Sequence, residues 1–323
     1  MTILGLERFR PNAWRPPDFV EFWEDTAAQT RLVDPAPLLS KPEGAGSGIT
    51  LQRVRFRSLG DVTISGYIAR PVLVHACPLI VHAHGYDDRY EVMLDWARQG
   101  AVVFGFDARG FGRSADAASV SASGYVLTGI ESAQSSILRG AVADYLQAIT
   151  VARMLQEGRV QRLSCHGFSF GGALALMAAA WCQEIDLLSV GQPTFGWNAE
   201  RRRVALGGST RQLNQFLEEQ PWRRDQVMAT LEYFDTVHFA SLIRAPALVG
   251  IGLDDDIVPS RTVLAMVNHM SCPVELRLFP VAHSADPRES LWSHFHQEWL
   301  EYTVTGLPGD FGSTERQIRT LVA

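Results

Sequence analysis

Short apolar runs recur along this chain at residues 78–81, 101–106, 160–165, 186–190, 245–251 and 274–279, each parted from the next by enough residues for a helix. Short runs like these suit strands covered on both faces, as in a parallel sheet. Residues 49–72 read differently, because apolar and polar positions alternate on both sides of Gly60-Asp61. That alternation predicts an antiparallel hairpin at the edge of a sheet. Residues 91–99 and 137–157 carry helical patterns that stop at Gly100 and Gly158, and residues 289–302 form an amphipathic stretch. The predicted class is therefore α/β, a mostly parallel central sheet with helices on both faces and an N-terminal antiparallel hairpin. The strand rhythm lapses over residues 192–239, a polar, Arg-rich region containing Trp197, Phe216, Trp222 and Tyr233. It reads as a helical insertion that helps to shape a pocket near the active site.

Bulk properties narrow the picture. A chain of 323 residues can bury a large core, and the expected organisation is one domain over 1–323, with 1–48 as an N-terminal extension and 192–239 as the insertion. Gly44-Ala-Gly-Ser-Gly48 reads as a flexible turn ahead of the hairpin. With 46% apolar and 20% charged residues and a net charge of −6, a nucleic-acid partner is not expected. No apolar run reaches membrane-spanning length, and the first ten residues mix acid and base without the apolar core of a secretory signal, so no membrane partner is expected. Cys77, Cys165, Cys182 and Cys272 are scattered, with no Cys-x-x-Cys pair, which points to a reducing, cytoplasmic location.

The most specific chemistry lies in residues 163–172, Leu-Ser-Cys-His-Gly-Phe-Ser-Phe-Gly-Gly. Ser169 stands within Gly-x-Ser-x-Gly directly after an apolar run, and Ala173–Trp181 is rich in helix formers. This is the signature of the nucleophile elbow of α/β-hydrolases, in which side chains at Gly167 and Gly171 would collide where the strand doubles back into a helix. A serine hydroxyl is a weak nucleophile at neutral pH and needs a base, which in turn needs a carboxylate to hold its tautomer. In the order Ser, acid, His, the run at 247–251 leads into Asp254, Asp255 and Asp256, one of which is expected to be the acid. The run at 274–279 leads into His283, the expected base, at the carboxyl edge where such sheets collect their active sites. His269, His294 and His296 fall at or within helices and read as surface or packing residues. The oxyanion donors are expected to be the Phe170 N–H and, from His84-Gly85-Tyr86 after an early strand, the Tyr86 N–H.

Two metal readings are weaker. The three aspartates lack the alternating ligands, glycine and closing glutamate of a calcium loop. His82, His84, Asp87 and Asp88 lack the further His or Cys of a zinc set. Neither a metal nor a cofactor is expected.

With these residues placed, the chain resembles the acetyl xylan esterase and cephalosporin C deacetylase family of α/β-hydrolases nearly end to end. The likeness is carried by Asp18-Phe-Val-Glu-Phe-Trp23, His84-Gly-Tyr86, Asp107-Ala-Arg-Gly-Phe-Gly112, the helix around Arg139–Ala148, Tyr233-Phe-Asp235 and Gly252-Leu-Asp-Asp255. That register selects Asp255 as the acid. The chain departs from the family where Phe111 and Phe170 replace glutamines, Ser284 replaces an acidic residue, and Val258-Pro-Ser-Arg261 replaces Cys-Pro-Pro-Ser. The resemblance implies a serine carboxylic-ester hydrolase acting on a small acylated substrate, removing acetyl or another short acyl group from an alcohol. It also implies a homo-oligomer, a hexamer in the family. Acyl transfer or amide cleavage by the same triad is a second reading, and a non-catalytic ligand-binding protein on a hydrolase scaffold is a third. Arg201-Arg-Arg203 reads as a surface salt-bridge cluster, with contact to an acidic substrate as the other reading.

Overall fold

The computed structural model describes residues 10–46, 48–72, 76–86, 88–283, 290–306 and 317–320. One continuous sheet organises them. The predicted hairpin is formed by β3 (Ile49–Ser58) and β4 (Val62–Pro71), and each apolar run becomes a parallel strand: β5 (Cys77–Ala83), β6 (Val102–Phe106), β7 (Val160–Phe168), β8 (Leu187–Gly191), β9 (Ala247–Gly252) and β10 (Val274–Phe279). Three short strands that no pattern announced complete it: β1 (Leu38–Leu39) and β2 (Glu43–Gly44) on β3, and β11 (Gln317–Thr320) parallel to β10. The spatial order is β1-β3-β4-β6-β5-β7-β8-β9-β10-β11, with antiparallel pairing confined to the β1–β6 end.

The central strands are largely apolar because neighbouring residues enter different cores, and the charged exceptions in β10, Glu275 and Arg277, pair with each other at 2.6 Å. Leu79, Val81, Val102, Phe104, Leu188 and Val249 face a large core against α1 (Phe19–Leu32), α3 (Ile137–Met154), α4 (Phe170–Ala179) and α9 (Ser260–Val267). Ile80, Val103, Leu187 and Leu248 face a smaller one against α2 (Leu94–Arg98) and α10 (Ser290–Thr305). The side-chain period of two sends alternate residues to opposite faces, and both faces are covered.

The insertion folds as α5 (Asn198–Val204), α6 (Gly208–Glu219), α7 (Arg224–Glu232) and α8 (Thr236–Ala240). It is tied to the N-terminus: Trp23 donates from Nε1 to the Tyr233 carbonyl at 2.8 Å and packs edge-on against Phe234, with ring centroids 5.7 Å apart. The Asp-Phe-x-x-Phe-Trp and Tyr-Phe-Asp elements are thus two halves of one contact. The 91–99 pattern yields a helix only from Leu94, because the Tyr90 amide donates to the Asp107 carboxylate at 2.6 Å and the Met93 amide to the Tyr67 hydroxyl at 2.9 Å. Among the described residues, no helix is long and apolar enough to cross a membrane.

Candidate active site

Parallel pairing from β6 to β10 brings the carboxyl ends of β5, β7, β9 and β10 to one edge, where each delivers a candidate group. At the end of β7, Ser169 has φ 52° and ψ −113°, and α4 begins at the next residue. The Ser169 N–H donates to the Gly191 carbonyl at 2.9 Å, and its own carbonyl accepts from the Ala173 and Thr194 amides at 3.0 and 3.2 Å, so both neighbouring elements hold the strained turn. A Cβ at Gly167 would lie 2.2 Å from the Gly171 backbone, and one at Gly171 would lie 2.3 Å from the Ala83 carbonyl oxygen. No larger residue fits at either position.

The loop after β9 separates its three aspartates. Asp254 and Asp256 are exposed, whereas Asp255 is buried. Its Oδ1 accepts from the Ile257 and Val258 amides at 2.9 and 2.8 Å, and its Oδ2 lies 2.6 Å from His283 Nδ1. A carboxylate can only accept, so the imidazole carries its proton on Nδ1 and leaves the Nε2 lone pair free. The loop is pinned by Gln192, fully buried at the end of β8, whose Oε1 accepts from the Gly252 amide at 2.6 Å and whose Nε2 donates to the Val258 carbonyl at 2.5 Å. Ser169 and His283 line one cavity of about 360 Å³, without a direct hydrogen bond between them. Catalytic hydrogen bonds are often slack before substrate binds. A cleft of about 650 Å³ beside Ala27, Leu146 and Trp181 is larger but is lined by neither Ser169 nor His283.

The loop after β5 borders the same cavity. His84 Nε2 accepts from the Ala108 amide at 3.1 Å, so Nδ1 bears the proton and donates to the Gly85 carbonyl at 2.6 Å. Burial lowers the His84 pKa and favours this neutral form. The Gly85 carbonyl and the Tyr86 N–H belong to one trans peptide and point opposite ways, so the clamp turns the Tyr86 N–H away from His84. The Tyr86 hydroxyl donates to Gln212 Oε1 on α6 at 2.7 Å. Phe170, first in α4, has an amide with no acceptor inside the helix. Phe111 and Phe170, the two positions where the resemblance expects glutamine, meet edge to face at 5.6 Å, and Phe111 stacks on Tyr125 at 4.1 Å. The exchange is coherent: an aromatic block, completed by Tyr86 at 5.8 Å from Phe170, backs the oxyanion loop. Its loop is anchored by Arg109, which donates from Nε and Nη2 to the buried carboxylate of Asp144 at 3.0 and 2.7 Å.

The remaining histidines have structural partners or packing roles. His269 Nδ1 lies 2.8 Å from the Ala265 carbonyl, and His82 Nε2 lies 2.6 Å from the Tyr67 hydroxyl. The side chain of His294, and Asp87 and Ser284 altogether, lie outside the described residues. His82, His166 and His296 gather around a second hollow that shares Gly85 and Phe168 with the first. Burial pushes His82 down to about 3 and His296 to about 4, and lowers His166 as well. In the unfolded chain each would titrate near its usual value of about 6.5 and take up a proton the folded state refuses. Stability present above about pH 6.5 is therefore lost on acidification, at about 1.4 kcal/mol per pH unit for each histidine. We expect His82 and His296 together to lower the unfolding free energy by about 3 kcal/mol near pH 5.5 relative to pH 8, with His166 acting in the same direction, read from urea unfolding. A flat profile would contradict this.

The Arg201–Arg203 run corrects the surface reading. Arg203 and Arg261 do pair with Glu200, at 3.7 and 2.7 Å, and Arg202 reaches Asn214. Arg201 instead is buried and lines the cavity beside Ser169. Gln192 and Gln212 are further site residues that no motif announced.

The acetyl xylan esterase (AXE1) family model matches residues 1–304. An acetyl esterase of Xylanibacter ruminicola is 20% identical over 314 residues, covering 92% of this chain and 70% of that protein. Among solved structures, an acetyl xylan esterase from a Paenibacillus species superposes with a TM-score of 0.82 at 24% identity, covering 92% of this chain and 99% of the other. Acetyl xylan esterase 1 from a Thermoanaerobacterium species gives 0.81 at 21% identity, covering 92% and 98%. These likenesses show the shared α/β-hydrolase fold, and the family match spans nearly the whole chain. The chain belongs to the acetyl xylan esterase (AXE1) family, ester hydrolases built on that fold.

Proposed function

We propose that the protein is a serine esterase that removes acetyl or another short acyl group from an alcohol through a Ser169–His283–Asp255 triad. The observation that carries this reading is the His283 imidazole, bonded through Nδ1 to buried Asp255 at 2.6 Å and opening into the cavity that Ser169 lines. His283 Nε2 takes the Ser169 proton as Oγ attacks the ester carbonyl, and Asp255 stabilises the imidazolium that results. The tetrahedral oxyanion is held by the Phe170 and Tyr86 amides, donors of a kind worth about 2.7 to 4 kcal/mol each. The imidazolium then protonates the departing alkoxide, and water, deprotonated by the same imidazole, releases the acid from Ser169. A cavity of about 360 Å³ stands at the small end for ligand sites, which favours a short acyl group on a compact alcohol. The four cysteines are free thiols, in keeping with a cytoplasmic setting.

An aryl acetate and a fluorophosphonate test the reading together. We expect turnover of the acetate, its loss on phosphonate treatment, and the phosphonyl group on the peptide containing Ser169. Turnover that survives complete labelling, or labelling elsewhere, would overturn the assignment.

A further inference from the structure

Arg201 is 1% exposed, yet it has no carboxylate partner among the described residues. Its Nε donates to Asn198 Oδ1 at 3.2 Å, and its Nη1 donates to Thr210 Oγ1 at 2.5 Å and Ser209 Oγ at 3.4 Å. The guanidinium lies 5.1 Å over the Phe195 ring. All these partners are neutral. The charge of Asp235 acts on Arg201 from nearby, but its carboxylate oxygens are taken by the amides of Trp197, Asn198 and Val237. Burial pushes the Arg201 pKa down to about 10, so the group stays cationic at neutral pH. Nη2 makes no hydrogen bond with any described residue, while the side chain lines the cavity that holds Ser169 and His283.

A buried cation that no carboxylate contacts directly is costly unless something else meets it. A second feature points the same way. The twelve-residue helix α6 begins at Gly208 with no side-chain cap on its first amides, and Gly208, Ser209 and Thr210 line the cavity. The positive end of that helix and a free guanidinium nitrogen therefore border one small space beside the nucleophile.

We infer that this cavity selects esters whose alcohol portion carries a carboxylate, bound by Arg201 Nη2 and the first amides of α6. The inference rests on the proposed esterase reading, which places a short acyl group on Ser169 and leaves the anion to the alcohol. A single free nitrogen and the exposed carboxylate of Asp88 at the same cavity suit one negative charge better than a phosphate dianion. Arg201 thus acts on specificity, and its three neutral acceptors hold the fork in place.

The test compares 4-acetoxybenzoate with 4-acetoxybenzamide, a pair differing mainly in charge. Wild-type protein should favour the benzoate at least about tenfold in kcat/KM, and Arg201→Gln should bring that ratio to about one or below, with Arg201→Lys between them. The ratio is the readout, since a purely structural role for Arg201 would lower both rates together. Independently of any Arg201 variant, 4-hydroxybenzoate should inhibit the wild type competitively and 4-hydroxybenzamide should do so at least about tenfold more weakly. A wild-type ratio near one, or a preference that Arg201→Gln leaves intact, would overturn the inference while the esterase reading stands. If no acetate is turned over, the esterase reading itself fails. Calorimetric titration of the same acetoxy pair into Ser169→Ala then decides the subsite alone, and equal affinities would overturn it.

Discussion

Ser169→Ala will lower kcat/KM for an aryl acetate by about 10⁴- to 10⁶-fold, the scale of nucleophile removal in triad hydrolases. The serine supplies the only covalent step in the proposed sequence, and Nε2 of His283 then has no hydroxyl to deprotonate. Residual catalysis would come from the two amides polarising the carbonyl toward direct attack by water. Alanine keeps a Cβ at φ 52°, so the turn and its hydrogen bonds to Gly191, Ala173 and Thr194 remain. Far-ultraviolet circular dichroism and the urea midpoint should therefore be close to wild type. A folded variant that keeps more than about one per cent of the activity would place the nucleophile elsewhere.

Asp255→Asn is the second large effect, with an expected loss of about 10⁴-fold in kcat. Its cause is the tautomer. Oδ1 accepts from two amides, Ile257 and Val258, a role only the oxygen of the introduced carboxamide can fill. The carboxamide NH₂ would then face His283 Nδ1, which must become an acceptor and shift its proton to Nε2. The imidazole would present an N–H to Ser169 where the reaction needs a lone pair. Because size and the Oδ1 contacts are kept, KM should change little; steady-state kinetics with a folded-state control measures both constants. A loss smaller than about tenfold would mean that Asp255 does not set the base.

The sheet was legible because the central strands between residues 77 and 279 are rich in apolar residues, and β5, β7, β9 and β10 run into candidate site residues. Edge strands carry no such signal. Leu38 and Leu39 are both exposed, and their pairing with β3 depends on backbone hydrogen bonds that no pattern records. Ser169 and His283 were readable from strand ends alone, whereas three adjacent aspartates could be separated only by family register, and burial distinguishes Asp255 afterwards. Arg201 was misread because three arginines in a row resemble a solvated surface. Helical geometry turns successive residues by roughly 100°, so one member can face inward while its neighbours face out. Its acceptors Ser209 and Thr210 lie on the next helix, beyond the reach of any local pattern. Gln192 acts by hydrogen-bonding a loop that is distant in sequence, which explains its silence in a linear reading.

The central claim is that an acyl group passes through one side chain. Rapid acid quench of the protein during turnover of an isotopically labelled aryl acetate, followed by peptide mapping, tests it most directly. The account predicts labelled acetyl on Ser169, formed within the first turnover and lost as product appears. Turnover with no labelled peptide, or with the label on another residue, would contradict it.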